Sequence, residues 1–93
     1  MAEGDPCWRI LIEETRPNHV VQSLAGHVYS AQEEAQAAAR TVAREHRPRH
    51  PYILRRRTVL QHDDGTYTVL VHGLVQDLAF RVSVVRELDA SSV

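Results

Sequence analysis

Residues 52–72 read YILRRRTVLQHDDGTYTVLVH. Asp64-Gly65 stands here between two runs in which apolar and polar residues alternate. Asp-Gly between such runs is a strong hairpin signal, because both residues accept the positive φ that a two-residue turn demands. The pattern predicts a strand from Tyr52 to His62, a tight turn at Asp63–Thr66 and a partner strand beyond it. With Asp64-Gly65 as the turn pair, Leu60 is expected to face Val69, Thr58 to face Val71 and Arg57 to face His72.

A further turn near Leu74–Asp77 leads to a strand over Leu78–Leu88, where Phe80, Val82 and Val84 alternate with Arg81, Ser83 and Val85. An even-length loop preserves parity, so Tyr67, Val69, Val71, Phe80, Val82, Val84 and Leu60 are expected on one face. Val59, Leu70 and Val85 then project from the other. Arg55 and Arg57 point outward beside His72, with Arg81 on that face one strand over.

Upstream, Trp8, Ile10 and Ile12 alternate with Arg9, Leu11 and Glu13, which predicts a strand from Trp8 to Thr15. Arg16-Pro17-Asn18 has turn chemistry, and a Val-rich strand from His19 to Tyr29 follows, with Gly26 marking a bulge or a close approach. Trp8 and Tyr29 are expected to anchor this hairpin, and Tyr52 to open the third strand. Ser30-Ala31-Gln32-Glu33 fits a capping box, with the Ser30 hydroxyl as cap. The helix expected over about 31–46 gathers Ala31, Ala35, Ala38, Ala39, Val42 and Ala43 on one face. Pro48 and Pro51 end it. The expected fold is α+β, ββαβββ, an antiparallel sheet with one Ala-rich helix on one face. Residues 7–88 form a single domain between short tails at 1–6 and 89–93, which lack periodicity and are expected to fray.

The chain has 93 residues, 43% hydrophobic and 25% charged, the size and composition of one small globular domain. No apolar run reaches the ~18–20 residues of a membrane span, and Met-Ala-Glu-Gly-Asp-Pro is not a signal peptide. A single cysteine, Cys7, excludes an intrachain disulfide and fits a cytoplasmic setting. The apolar side chains are mostly small, with 12 Val and 10 Ala against one Phe and one Trp. A helix ~24 Å long and ~10 Å wide cannot cover five strands spaced ~4.8 Å apart. Part of the sheet is therefore expected to be covered by a second copy in a two-fold dimer, the alternative being a strongly twisted monomer with scattered surface aliphatics.

The net charge of −1 conceals a split: residues 40–57 carry a balance of +6 and the rest −7. Arg40, Arg44 and Arg47, spaced by four and three, are expected on one side of the last helical turns, where they also complement the helix dipole. With Arg55, Arg57, His72 and Arg81 they form a candidate surface for an anionic or protein partner. The competing structural reading pairs these arginines with Glu13, Glu14, Glu33, Glu34 and Glu87. A nucleic-acid-binding regulator using Arg40, Arg44, Arg47, Arg55 and Arg57 is the alternative, but the arginines are not interleaved with stacking aromatics and the pI is near 6.6.

No metal site or cofactor is expected. Pro48 interrupts the His46/His50 spacing, and His62-Asp63-Asp64 is explained by turn geometry. Cys7, Ser23, Ser30 and Ser83 lack a converging catalytic partner, and neither Glu13-Glu14 nor Glu33-Glu34 converges on one point, so no enzyme is expected. A small enzyme with a dimer-cleft site using His72 or Cys7 is a second alternative.

The stretches YSAQEEAQAAARTVAREHRP and DDGTYTVLVHGLVQDLAFRVSVV, with basic content that is all Arg, resemble short α+β proteins of high-GC actinobacteria. The likeness covers most of residues 8–88. It implies a bacterial cytoplasmic origin and carries no activity or site residues.

Overall fold

The structure, a computed structural model, describes residues 7–16, 18–48, 54–74, 76–89 and 91. The expectations placed on residues 1–6, Pro17, Arg49, His50, Pro51 and Tyr52, and on residues 90, 92 and 93 of the tail, lie outside these. The elements are β1 (Cys7–Thr15), β2 (Val20–Leu24), α1 (Gln32–Glu45), β3 (Leu54–Gln61), β4 (Tyr67–Gly73) and β5 (Asp77–Glu87). They form the expected ββαβββ domain, one antiparallel sheet in the order β2-β1-β5-β4-β3 with the helix on one face. No described helix is long and apolar enough to cross a membrane.

The core is built by strand alternation. Ile10 and Ile12 on β1, Tyr67, Val69 and Val71 on β4, and Phe80 and Val82 on β5 are buried on the helix side. Ala35, Ala39 and Ala43, four residues apart, are fully buried beneath α1. Alanine at these positions lets the helix backbone lie low on the sheet, so no larger side chain could enter without lifting it. The helix lies over β5 and β1, reaches β4 and β3, and stops short of β2.

Four local expectations are corrected. The helix cap is Ala31, not Ser30, and no side chain caps it. Ser30 stands one residue too early for its hydroxyl to meet the first free amides. The regular second strand ends at Leu24 rather than Tyr29. Pairing resumes only at the Trp8–Tyr29 bridge, after two extra residues on the β2 side, with reciprocal backbone bonds of 2.8 and 2.9 Å. Gly26 lies in this interruption, but nothing lies within 4 Å of a Cβ built there, so close approach is not its reason. Finally, α1 ends at Glu45, which leaves Arg47 beyond the helix rather than on its last turn.

The fourth correction changes the candidate surface. β3 and β4 pair as Gln61/Tyr67, Val59/Val69, Arg57/Val71 and Arg56/His72, one residue out of the expected register. The connection is a three-residue loop, closed by His62 N–H donating to the Thr66 carbonyl and Gly65 N–H to the His62 carbonyl. Among the described residues Gly65 alone has positive φ, at 88°. A type I turn followed by a left-handed glycine needs only that one unusual residue, whereas the two-residue turn would also force Asp64 to positive φ. Asp64 Oδ1 instead accepts bonds from Thr66 N–H and Thr66 Oγ, fixing the alternative. Because side chains alternate, the shift inverts β3. Arg57 and Val59 turn to the helix side, while Leu60 moves to the outer face and is 45% exposed.

Candidate interaction surface

The inverted strand gives Arg57 a role that the sequence reading did not assign. Its guanidinium donates from Nη1 to the Ala43 carbonyl at 2.9 Å and from Nη2 to the His46 carbonyl at 2.6 Å. These are among the carbonyls a helix leaves unpaired at its C-terminus, where a cation is also favoured by the helix dipole. The same guanidinium lies 5.8 Å from the Phe80 ring centre, and the His46 ring meets Phe80 edge-on at 4.9 Å. Burial and the neighbouring Arg47 charge push the Arg57 guanidinium below the usual arginine range. Arg57 is thus a structural clamp and leaves the candidate binding set.

The other candidates do not converge on one place. Arg40 and Arg44 flank a shallow depression of about 350 Å³ between α1 and the β3 edge, lined also by Val59, Gln61 and Tyr67. Arg47 follows the helix end, close enough to Arg57 for their charges to interact. Arg55 lies exposed on β3 at an irregularity in its pairing with β4. His72 and Arg81 belong to the opposite, outer face: His72 Nδ1 is 3.5 Å from Asp77 Oδ2, and Arg81 stands in register with Glu13 and Thr68. In the expected arrangement Arg57 bordered His72; Arg56 takes that position instead.

Among the described residues, the pairing of the arginine run with carboxylates is also not realised. The ion pairs among them are Arg9–Glu87 at 3.0 Å and Arg16–Glu14 at 3.5 Å, and the rings of His46 and His72 each lie 3.5 Å from a carboxylate, of Glu14 and Asp77. Arg40, Arg44, Arg47, Arg55 and Arg81 join none of them. Glu33 and Glu34 lie in the first turn of α1, where acidic residues suit the dipole without an arginine partner.

The outer face is open and mixed in chemistry. Register places Val20, Thr15, Ala79, Leu70 and Thr58 in one row across it, and Gln22, Glu13, Arg81, Thr68 and Leu60 in the next. A broad concavity of about 580 Å³ includes Leu70, His72, Asp77 and Ala79. Among the described residues the exposed large apolar side chains are unevenly spread: Val20, Val21, Leu24 and Val28, half of them, lie in or just after β2.

Two further polar groupings bear on chemistry. Cys7 Sγ lies 3.3 Å from Glu87 Oε2, and partial burial together with this carboxylate raises the thiol pKa, the reverse of nucleophile activation. Glu14 reaches both His46 and Arg16 from the helix side of β1, a cluster hidden from sequence spacing because 32 residues separate Glu14 from His46. No group of three or more metal-ligating side chains forms among the described residues. No protein-family model, curated protein or solved structure matches the chain.

Proposed function

We propose that the chain is a non-enzymatic interaction module, working as a homodimer in a bacterial cytoplasm, that takes an acidic protein segment on the Arg40–Arg44 side of the helix. The observation that carries this reading is the pair of arginines left without a carboxylate partner among the described residues, flanking a depression floored by Val59, Gln61 and Tyr67. Arginine forks suit carboxylates, and a half-apolar floor suits the flanking side chains of a peptide better than a bare sugar–phosphate chain. Self-association is supported by the sheet area that α1 does not reach and by the apolar side chains exposed around β2.

Titration of the full chain with a fluorescent glutamate-rich peptide and with duplex DNA separates the two anionic partners. Peptide binding that is lost in Arg40→Glu/Arg44→Glu supports the proposal. Tighter binding to DNA, with affinity falling steeply as salt rises, replaces it with the nucleic-acid reading. Binding to neither overturns the anionic-partner role.

A further inference from the structure

The two edges of the sheet are chemically opposite. The β3 edge carries exposed Arg55 and Arg56 side by side, and cations on an edge are a common guard against edge-to-edge pairing. The β2 edge reads Val-Val-Gln-Ser-Leu, without a charge, proline or glycine, and all five residues are exposed. Such an edge presents free amides and carbonyls to any strand that matches it. An unguarded edge beside a guarded one has a simple use.

We propose that a second copy of this chain pairs antiparallel with the β2 edge, joining the two sheets about a two-fold axis at Gln22. The inference rests on the self-association proposed above and specifies where it occurs. Bonds from Arg16 N–H to the His19 carbonyl and from Ala25 N–H to the Ile10 carbonyl fix the alternation along β2. In that alternation Val21 and Ser23 bond to β1, so the N–H and C=O groups of Val20, Gln22 and Leu24 point to the open edge. The middle of these is the centre of the strand. A two-fold axis there sets Gln22 against its own copy and Val20 against the copy's Leu24, so every outward donor meets an acceptor.

The side chains agree with that register. Val20 and Leu24 are 53% and 46% exposed on the same face, and each gains an apolar cross-strand neighbour. Val21 meets the copy's Ser23 on the helix side, where α1 does not reach and raises no obstacle. Gln22 already donates to Glu13 at 3.0 Å, which draws its amide toward β1 and leaves the axis itself uncharged. The arginines on the far edge disfavour a third copy, so the assembly closes at two rather than extending. A five-residue strand is only about 17 Å long. Edge pairing therefore hides well under the ~800 Å² per partner of a standard interface, and the dimer is weak and concentration-dependent.

Sedimentation equilibrium of the full chain, from about 1 µM to about 1 mM, brackets such an interface. The expected mass rises from 10.6 kDa toward twice that value and stops there. Gln22→Pro removes an outward amide that β1 does not use, a change free edge strands tolerate. It is expected to stay monomeric throughout with an unchanged circular dichroism spectrum. Should that variant lose its fold, Val20→Lys/Leu24→Lys decides: it keeps every main-chain donor and sets like charges opposite each other on both sides of the axis, so it also stays monomeric. A wild-type chain that is monomeric at every concentration overturns both this geometry and the homodimer. A dimer unaffected by Val20→Lys/Leu24→Lys, or a mass climbing past two chains, overturns the β2 pairing alone.

Discussion

Arg57 on the third strand donates to the carbonyl oxygen of Ala43, fourteen residues earlier, and so ties the end of α1 to the sheet. Its second nitrogen reaches His46 in the same way, and Phe80 lies beneath both. A fork that satisfies two orphan carbonyls at once cannot be replaced by a point charge.

Arg57→Ala is accordingly expected to destabilise the fold by about 1–3 kcal/mol, the range for lost hydrogen bonds to a charged group. Arg57→Lys recovers only part of the loss. Arg56→Ala, one residue away on the outer face, stays within about 0.5 kcal/mol of wild type, as exposed positions do. Urea midpoints of the three variants check the order, and equal effects at 56 and 57 would refute the clamp.

Ala39 is fully buried between α1 and the sheet. Ala39→Leu forces extra volume into that contact and is expected to cost about 1–3 kcal/mol, whereas Ala37→Leu on the exposed side is nearly neutral. Thermal unfolding of the pair tests whether closeness of helix to sheet is what the alanines provide.

Gly65→Ala keeps ordinary van der Waals space, with the Gln36 side chain 3.4 Å from the added Cβ, yet it must hold φ near 88°. Left-handed backbone costs roughly 1–2 kcal/mol for a residue with a Cβ. Chemical denaturation of this variant measures the turn's requirement directly; an unchanged midpoint would remove it.

Asp64 gives the turn a pH signature. The Thr66 backbone N–H, followed by the Thr66 hydroxyl, holds its carboxyl below the usual carboxylate range. Its contribution to stability is therefore complete above the unfolded-state value near ~3.9 and disappears as pH falls through the lower folded value. The stability difference between wild type and Asp64→Asn is expected to shrink on acidification from neutral pH. A difference constant over that window would show that Asp64 is not so held.

At Cys7, partial burial and then the hydrogen bond to Glu87 raise the thiol pKa. Alkylation near neutral pH is expected to be slower than for a free peptide thiol, because less thiolate is present. Glu87→Gln speeds it. Reaction at the free-thiol rate would contradict the pairing.

Much of the fold was legible because its patterns are local. Alternation at Trp8–Thr15 and Leu78–Leu88, and the alanine stripe at Ala35, Ala39 and Ala43, each report one face of one element. The β3 register was not legible, since Asp63-Asp64-Gly65 supports either a two- or a three-residue loop, and the choice depends on the bonds Thr66 makes to Asp64. That single ambiguity moved Arg57 from the candidate surface into the clamp and exchanged Val59 with Leu60. The shortened second strand was hidden too, because Val28 and Tyr29 continue a β-like composition past the point where pairing lapses. Charge clustering in the chain marked Arg40, Arg44, Arg47 and Arg55, but the faces they occupy depend on where α1 stops and on the bulge beside Leu54.

The grip of Arg57 on His46 also fastens the chain at two points eleven residues apart, like a drawstring at the neck of a bag. Loop closure penalises residues added between two tied points only slowly, so the tie tolerates a longer span. A glycine–serine spacer inserted between the tied points is therefore expected to leave the domain's melting temperature nearly where it stands.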